Sequence, residues 1–284
     1  MIDFNLENTV SVHITDRCNL RCPYCYQADY CGYSKVINKE KAYHAIKSLN
    51  PKTVLAFGGE PMLFPKEIND LFDTFTSLGC QVGIITNGTI WNEEIFNKAG
   101  IIMLTLESFF FNFSPQNRKY TDKQWSNIKK LLKNYRDKIL ITHNLYPFNN
   151  DKYYERIAKL GDFESYPYPI ISYTENAEYD INTLRQFNTK MDVLDLPKLR
   201  VWTDGSISRD MRQKYKICEY NEWDEKYRNQ KVPIHKKCIE CKYSSKCPGY
   251  KMFPHFCKDV LDKIEDPHFC KIARWIYEIN EQKN

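Results

Sequence analysis

Three cysteines near the start of the chain have the spacing of a metal-binding loop. Cys18, Cys22 and Cys25 follow one another as C-x3-C-x2-C, directly after the β-branched segment Thr9–Ile14. Three thiolates on one short loop can ligate three irons of a four-iron cluster and leave the fourth iron without a protein ligand. An open coordination position is what a reactive metal site needs. A zinc knot is the alternative, with Cys31 as the fourth thiolate that zinc usually requires.

The chain from Thr9 to Tyr173 alternates strand-like and helix-like segments, judged by hydrophobic period and by Gly and Asn punctuation. The predicted strands are Thr9–Ile14, Thr53–Phe57, Gln81–Thr86, Ile101–Leu106, Ile139–Leu145 and a weaker one near Ile170–Tyr173. The predicted helices are Lys39–Leu49, Lys66–Ser77, Glu93–Ala99, Asp122–Tyr135 and Asp151–Leu160. Such alternation predicts parallel strands with right-handed crossovers. We therefore expect an α/β fold, a partial (β/α)6 TIM-like barrel, with its chemistry at the carboxyl ends of the strands.

Polar motifs stand where these strands end. They are Gly58, Gly59, Glu60 and Pro61 after the second strand, Thr86-Asn87-Gly88 after the third, Glu107-Ser108 after the fourth, and Asn144 near the end of the fifth. Glycines let the backbone approach a ligand closely, and carbonyl and carboxylate oxygens suit an ammonium group. The shared position predicts one site, although a plain turn explains Thr86-Asn87-Gly88 equally well.

The cysteine loop, with the aromatic Tyr24 just before Cys25, resembles the signature of the radical SAM superfamily. The resemblance implies that S-adenosylmethionine (SAM) chelates the open iron of a 4Fe–4S cluster. It implies that one electron from the cluster cleaves SAM to methionine and a 5′-deoxyadenosyl radical, which abstracts a hydrogen atom from the substrate. An electron donor such as flavodoxin or ferredoxin is implied as a partner.

The strand-end motifs take their expected roles from this resemblance. Gly58–Pro61 is similar to the family's GGEP motif, which implies contact with the amino group of SAM. Asn87 belongs to a Thr-Asn-Gly found after the third strand in relatives. Glu107 and Ser108 stand where relatives carry a polar or acidic ribose contact, but most peptide-modifying relatives have Asp-Gly there, so this contact is left open. Asn144 is a further expected contact of the same kind.

A second group of cysteines lies near the C-terminus: Cys218, Cys238, Cys241, Cys247, Cys257 and Cys270. The C-x2-C-x5-C spacing, after a hairpin-like turn at Asp204-Gly205, resembles the SPASM or twitch extension of radical SAM enzymes, which binds auxiliary iron–sulfur clusters. The chain has no cysteine just after the hairpin turn, and Lys251 stands where a further cysteine is expected. We therefore expect one auxiliary 4Fe–4S cluster rather than two.

The ligands of this auxiliary site are only partly specified by the resemblance. The expected ligands are Cys238, Cys241 and Cys247, with Cys270 as the fourth, Cys257 as its competitor and Cys218 as a further alternative. A zinc-ribbon-like knuckle stays open, because four thiolates satisfy zinc as well as iron–sulfur. If Cys218 and Cys257 are not ligands, each is a candidate catalytic donor that returns a hydrogen atom to a substrate radical.

Composition excludes several other classes of protein. Eleven cysteines cannot all pair with one another. The charge of +5, from 41 basic and 36 acidic residues, is spread along the chain, so we expect neither a nucleic-acid nor a membrane partner. No stretch approaches the roughly 20 apolar residues of a membrane span, and Met1–Asn8 has no signal-peptide core. The predicted location is cytoplasmic.

The pattern changes after the barrel segment, and we expect domains at 1–178 and 179–284. The second contains a predicted helix at Ile181–Val193, a hairpin at Leu199–Met211 and a helix at Pro267–Asn280. Relatives with this layout mostly modify peptides or proteins, so a peptide or protein substrate is expected. No peptide-recognition domain precedes the first strand, so a leader peptide would need a separate binder or a groove on the barrel.

Two other functions stay open. The first is a radical SAM enzyme that acts on a small molecule such as a nucleotide or sugar. The second is a non-catalytic iron–sulfur electron carrier or sensor, which Gly58–Pro61 argues against because a carrier needs no SAM-binding motif.

Overall fold

The computed structural model describes residues 8–22, 25, 35–107, 120–145, 155, 158–161, 165–169, 199–209, 216–228, 235–244, 247, 261, 262, 270, 271, 273, 274 and 278. Of these, residues 107, 143–145, 165–169, 225 and 228 are described by their backbone alone. Within this part of the chain, no helix has both the length and the apolar character needed to cross a membrane.

Strands and helices alternate through most of the described residues. The strands are β1 (Thr9–His13), β2 (Thr53–Phe57), β3 (Gln81–Thr86), β4 (Ile101–Glu107), β5 (Ile139–Leu145), β6 (Ser165–Pro169), β7 (Leu199–Val201), β8 (Ile207–Ser208) and β9 (Lys216–Cys218). The helices are α1 (Lys39–Leu49), α2 (Pro65–Ser77), α3 (Glu93–Lys98), α4 (Asp122–Asn134), α5 (Glu225–Arg228) and α6 (Lys236–Ile239), with 3-10 turns at Pro61–Leu63 and Arg136–Lys138.

Local side-chain chemistry explains where the helices begin and end. The side chain of Asn38 accepts a backbone hydrogen bond in the first turn of α1, and Asn92 does the same for α3. Thr121 and Gln124 form a capping box at the start of α4. Asn50 ends α1 in the left-handed conformation, with φ of 47°. The helix bounds therefore follow from residues that a local pattern can identify.

The strands form one sheet in the order β6-β5-β4-β3-β2-β1-β7-β8-β9. β1 pairs in parallel with β2 and β7, and β3 pairs in parallel with β2 and β4. Every residue of β1 and β2 is buried, as in strands that are covered on both faces. The sheet is not closed, since its order ends in two different strands. The predicted α/β fold of the partial (β/α) barrel type is thus confirmed.

A hairpin extends the sheet beyond β1. Val10 of β1 lies opposite Leu199 of β7, and the pairs β7–β8 and β8–β9 are antiparallel. Gly205 lies in the turn between β7 and β8 with φ of 85°, and its N–H donates to the carbonyl of Trp202 at 2.8 Å. The hairpin predicted at this turn is confirmed, whereas its parallel pairing with β1 is a finding of the structure.

By their contacts, the residues fall into two compact units. One unit comprises Met1–Thr105, Tyr120–Ile141 and Pro197–Gln230, and the other comprises Leu106–Lys119, Thr142–Leu196 and Lys231–Asn284. The strands β1–β3 and β7–β9 belong to the first unit, and α6 belongs to the second. The predicted domain boundary at residues 178 and 179 lies outside the described residues and stays a prediction.

Most predicted elements match the observed ones. α1, β2, β3 and β5 have the predicted bounds, and β1, β4, α2, α3 and α4 each differ by one residue at one end. α2, for example, begins at Pro65, because the first helical turn needs no N–H donor there. The predictions that lie wholly or mostly outside the described residues are the helices Asp151–Leu160, Ile181–Val193 and Pro267–Asn280 and the strand near Ile170–Tyr173.

Two glycines with positive φ allow the packing of the loop after β3 to be tested. Gly88 has φ of 68°, and a Cβ there would lie 2.4 Å from Leu104 Cδ1, whereas Gly79 has φ of 81° and open space around it. Gly79→Ala should cost about 1 to 2 kcal/mol of unfolding free energy through backbone strain alone. Gly88→Ala should cost about 1 to 3 kcal/mol more, because the core is overpacked as well. Urea unfolding of both variants measures this, and equal losses would contradict the packing at Gly88.

Candidate functional site

The cysteine loop leaves the carboxyl end of β1. Cys18, Cys22 and Cys25 are each partly exposed. The backbone N–H of Leu20 donates a hydrogen bond to Cys18 Sγ at 3.4 Å, and the N–H of Cys25 donates to the Cys22 carbonyl at 3.1 Å. A donor at sulfur stabilises the thiolate, the form that binds iron. The donor set and its exposure therefore fit a 4Fe–4S cluster that leaves one iron open.

The thiols do not converge as they would on one metal ion. Among the described residues, no three His, Cys, Asp or Glu side chains surround a common metal-ion position. Thiolates of a four-iron cluster bind separate irons, so they need not meet at a single point. Tyr24 and Cys31, the other residues of interest in this loop, lie outside the described residues.

The segment that follows the loop returns to its base. Thr15 forms an antiparallel bridge with Val36, and its hydroxyl donates to the carbonyl of Lys35 at 2.9 Å. Beside it, His13 Nδ1 and Asp16 Oδ1 lie 3.2 Å apart, and both side chains are buried. Burial raises the pKa of Asp16, and the charge of Lys35 opposes that effect. The loop is thus closed at its base by backbone and side-chain contacts.

The glycines after β2 contact the backbone of the cysteine loop. The N–H of Gly59 donates to the carbonyl of Thr15 at 2.8 Å, and the N–H of Glu60 donates to that of Arg17 at 2.7 Å. A Cβ at Gly58 would lie 2.5 Å from Thr15 O, and one at Gly59 would lie 2.2 Å from Arg17 O. Glycine is therefore needed at both positions for the two loops to approach.

The backbone of Gly58 and Gly59 also has carbonyl oxygens that could accept hydrogen bonds from a ligand. Among the described residues, no donor is bonded to the carbonyl oxygens of Gly58 and Gly59. Carbonyl oxygens at a strand end suit an ammonium group, so this segment fits the amino group of SAM. Pro61 opens the 3-10 turn that follows and is buried. The SAM contacts predicted for Gly58–Pro61 stay predictions.

Glu60 joins the loops after β2 and β3. Its side chain is fully buried. Oε1 accepts hydrogen bonds from the N–H of Met62 at 3.0 Å and the hydroxyl of Thr86 at 2.8 Å, and Oε2 accepts one from the N–H of Asn87 at 2.9 Å. Burial raises the pKa of Glu60 to about 7, even though these three donors favour the ionised form. The carboxylate is therefore a structural link between two strand ends.

The side chain of Asn87 forms hydrogen bonds with other residues of the protein. Its Nδ2 donates to Asn19 Oδ1 at 2.9 Å, and its Oδ1 accepts from the N–H of Thr89 at 3.0 Å and from the Thr89 hydroxyl at 2.6 Å. Asn19 Nδ2 in turn donates to Thr89 Oγ1 at 2.7 Å. The predicted contact of Asn87 with SAM stays a prediction, while its contact with the cysteine loop is observed.

The sequence analysis missed Asn19 and Thr89. Asn19 follows Cys18 directly, and Thr89 follows the Thr-Asn-Gly segment, so both stand beside residues that were singled out. An Asn in a short loop often bonds a neighbouring backbone group, so its residue type alone does not point to a partner in another loop. Nothing in one sequence identifies that partner as Asn87.

The remaining predicted SAM contacts lie at the ends of later strands. Glu107 is the last residue of β4, and Asn144 is the penultimate residue of β5. Ser108 lies outside the described residues. The roles predicted for these three residues stay predictions.

Successive hydrogen-bonded turns connect three cysteines of the second group along the chain, but no three of the described cysteines surround a common metal-ion position. Cys238 lies in α6, and the N–H of Cys241 donates to the Cys238 carbonyl at 3.4 Å. The chain then turns through Ser244, whose N–H donates to the Cys241 carbonyl at 3.1 Å and whose carbonyl accepts from the N–H of Cys247 at 3.2 Å. Cys247 is buried and Cys270 is partly exposed. Their role as cluster ligands stays a prediction.

The two predicted hydrogen-atom donors differ in what is described. Cys218 is the last residue of β9, belongs to the first unit and is buried. Burial, with the charges of Glu222, Glu219 and Asp224, raises the pKa of its thiol to about 11. Cys257 lies outside the described residues. Both catalytic roles stay predictions.

Comparison with known proteins agrees with this geometry. The sequence model of the radical SAM superfamily matches residues 12–161. The chain belongs to the radical SAM superfamily, whose members are enzymes that use a 4Fe–4S cluster and SAM. The cysteine loop and the segment after β2 both lie within the residues that this family model matches.

Individual relatives match to different extents. The chain is 25% identical over 229 residues to the uncharacterized protein MJ0804 of Methanocaldococcus jannaschii, covering 74% of this chain and 77% of that protein. It is 34% identical over 89 residues to 7-carboxy-7-deazaguanine synthase of Aquifex aeolicus, covering 31% of this chain and only 40% of the synthase. Streptococcus suis SuiB bound to precursor peptide SuiA has the same fold, with a TM-score of 0.55 and 15% identity over 85% of this chain and 71% of SuiB.

The buried carboxyl of Glu60 predicts a pH dependence of stability. Its pKa rises from 4.5 to about 7 on folding, so the folded protein holds the proton more tightly than the unfolded chain. The unfolding free energy of wild type, relative to Glu60→Gln, should be greatest below pH 4.5. It should fall by up to about 3 kcal/mol as the pH rises to 7 and stay constant above that.

Urea unfolding of the cluster-free protein across this pH range measures the effect. Glu93→Gln, at an exposed position in the first turn of α3, is the matched control and should follow wild type. Curves for wild type and Glu60→Gln that run parallel at every pH would contradict the raised pKa.

Proposed function

We propose that this protein reductively cleaves SAM and abstracts a hydrogen atom from a peptide or protein side chain. The cleavage of SAM is supported by the backbone hydrogen bonds that join the cysteine loop to Gly58–Glu60 at the ends of β1 and β2. It is also supported by the membership of the chain in the radical SAM superfamily. When bound, the cluster supplies the electron that splits SAM to methionine and a 5′-deoxyadenosyl radical, and this radical removes the substrate hydrogen. The electron comes from a donor such as flavodoxin or ferredoxin.

The residues of the chain bind and orient the reactants. Cys18, Cys22 and Cys25 hold the cluster as thiolates, and the carbonyl oxygens of Gly58 and Gly59 accept from the amino group of SAM. The remaining contacts with SAM are proposed for Tyr24, Pro61, Glu107, Ser108 and Asn144. They are also proposed for Glu60 and Asn87, whose side chains bond other residues of the protein. Orienting the reactants and keeping water away from the radical is the contribution that the protein makes to such a reaction.

The likeness in fold to SuiB supports a peptide substrate. SuiB binds the precursor peptide SuiA, and the fold is shared over 85% of this chain. The second cysteine group supports the same assignment, because an extension of the SPASM or twitch type is common in peptide-modifying relatives. A peptide side chain that has lost a hydrogen atom must also lose an electron, form a bond or regain a hydrogen atom, and an auxiliary cluster or a thiol can serve these steps.

A nucleotide-like small molecule is the second candidate substrate. The stretch of 34% identity with a 7-carboxy-7-deazaguanine synthase favours it. That stretch covers 31% of this chain and 40% of the synthase, so the likeness is limited to part of both proteins. Incubating the reconstituted enzyme with SAM and either a candidate peptide or a deazapurine precursor, and following substrate-dependent 5′-deoxyadenosine, separates the two candidates.

One auxiliary 4Fe–4S cluster is proposed for the second cysteine group. Its ligands are Cys238, Cys241, Cys247 and Cys270, with Cys257 and Cys218 as alternatives for the fourth position. Iron and sulfide counts on anaerobically reconstituted protein test the proposal. About eight irons per chain support it, about four irons with bound zinc contradict it, and about twelve irons show two auxiliary clusters.

Cys22→Ala should abolish cleavage of SAM. Only two thiolates then remain on the loop, and the cluster loses the ligand set that leaves one iron open. The measurement is 5′-deoxyadenosine formed from SAM by the dithionite-reduced protein. Cys80→Ala is the matched control: Cys80 is partly exposed, donates to the carbonyl of Pro51 and belongs to neither cysteine group, so cleavage should persist. Cleavage by Cys22→Ala at the rate of the control would contradict the assigned ligands.

Cys241→Ala should separate cleavage from product formation. The first cluster is untouched, so SAM is still cleaved, but the radical reaction no longer ends in product. Parallel assays of 5′-deoxyadenosine and of modified substrate give the ratio of the two. If Cys241→Ala keeps full product formation, the second cysteine group is structural, and its proposed role in the reaction is wrong.

A further inference from the structure

Three side chains form a closed ring of hydrogen bonds between the cysteine loop and the loop after β3. Asn87 donates to Asn19, Asn19 donates to Thr89, and Thr89 donates to Asn87, with donor–acceptor distances of 2.9, 2.7 and 2.6 Å. We call these residues the Asn19–Asn87–Thr89 ring. Each member gives one hydrogen bond within the ring and accepts at least one, which leaves the second amide N–H of Asn19 and of Asn87 outside the ring.

The backbone of Thr89 sets the orientation of the whole ring. Its N–H donates to Asn87 Oδ1 at 3.0 Å, so this end of the amide must be the oxygen. The amide nitrogen of Asn87 then faces Asn19 and can only donate, which makes the facing atom of Asn19 its oxygen. The nitrogen of Asn19 in turn requires an acceptor at the Thr89 hydroxyl. One backbone group therefore determines every side-chain orientation in the ring.

Rigid neighbours hold the ring from outside the cysteine loop. The N–H of Asn87 donates to the buried carboxylate of Glu60 at 2.9 Å, and Asn127 of α4 donates to the carbonyl of Thr89 at 2.8 Å. Asn87 and Thr89 are buried, while Asn19 is exposed. Asn87 and Thr89 therefore lie in a buried, hydrogen-bonded part of the protein. The ring reaches the cysteine loop at one residue, Asn19, which follows Cys18.

We propose that the ring is a positioning device that holds the part of the loop between Cys18 and Cys22 in its iron-binding arrangement, a role that rests on the proposed function. Ordering a free loop costs conformational entropy for every residue that is fixed. A loop already tied at Asn19 avoids much of that cost when it takes up a cluster. A thiolate on a tied loop would also be held close to its binding position. Asn19, Asn87 and Thr89 touch no iron in this role and act through the cysteines.

Paired substitutions at Thr89 test the ring. Thr89→Val removes the hydroxyl that accepts from Asn19 and donates to Asn87, whereas Thr89→Ser keeps it. The readout is the rate at which a chelator strips iron from the anaerobically reconstituted protein, followed by visible absorbance. Losing two hydrogen bonds should speed the loss about fivefold to a hundredfold in Thr89→Val, and Thr89→Ser should behave as wild type.

Asn19→Ala gives a second measurement that does not depend on the buried position. Because Asn19 is exposed, water can take its place beside Asn87 and Thr89, so the urea unfolding midpoint of the cluster-free variant should match wild type. Iron loss should be faster by a similar factor. A merely structural role would lower the midpoint and leave the iron-loss rate unchanged. Asn97→Ala is the control, since it removes a comparable side-chain bond, from Tyr135, at a site outside the loop.

The outcomes separate the ring from the proposed function. Iron loss from Asn19→Ala and Thr89→Val at the wild-type rate, in a wild-type protein that binds iron and cleaves SAM, would overturn the ring alone. Equal rates for Thr89→Ser and Thr89→Val would overturn it as well, because the hydroxyl would then not matter. A wild-type protein that takes up no iron would overturn the proposed function and the ring with it.

Discussion

The arrangement of the strand ends depends on the buried carboxylate of Glu60. It accepts hydrogen bonds from Met62 in its own turn and from Thr86 and Asn87 at the end of β3. A buried carboxyl without donors would be costly, and the N–H groups of these loops would be costly without an acceptor. The loops after β2 and β3 therefore stabilise each other. Through Asn87, the hydrogen-bonded ring links both loops to the cysteine loop.

Close backbone approach is the second constraint, and it explains how one short segment serves two partners. The N–H groups of Gly59 and Glu60 bond the cysteine loop, whereas the carbonyl oxygens of Gly58 and Gly59 accept from no described residue. N–H and C=O groups of an extended peptide point in different directions. The segment can thus hold the loop on one side and offer acceptors on the other, provided that no Cβ intervenes.

The sequence predicts the elements well and their mutual contacts poorly. Helix α1 and strand β2 have the predicted bounds because capping residues, glycines and hydrophobic period are local signals. The bond between Asn87 and Asn19 spans 68 residues, and that between Thr86 and Glu60 spans 26. No local pattern pairs such residues, and the parallel pairing of β7 with β1 was missed for the same reason. The sequence therefore identifies the motifs but not the hydrogen bonds between them.

The two roles predicted for Cys218 make opposite demands on its proton. A cluster ligand must be a thiolate, whereas a donor of a hydrogen atom must keep its S–H bond. Burial at the end of β9 and the charges of Glu222, Glu219 and Asp224 raise the pKa of this thiol to about 11, so it stays protonated at neutral pH. A bound cluster would have to overcome three nearby carboxylates to ionise it. The surroundings of Cys218 therefore preserve the S–H bond that the donor role needs for as long as no iron binds, and both roles of Cys218 stay predictions.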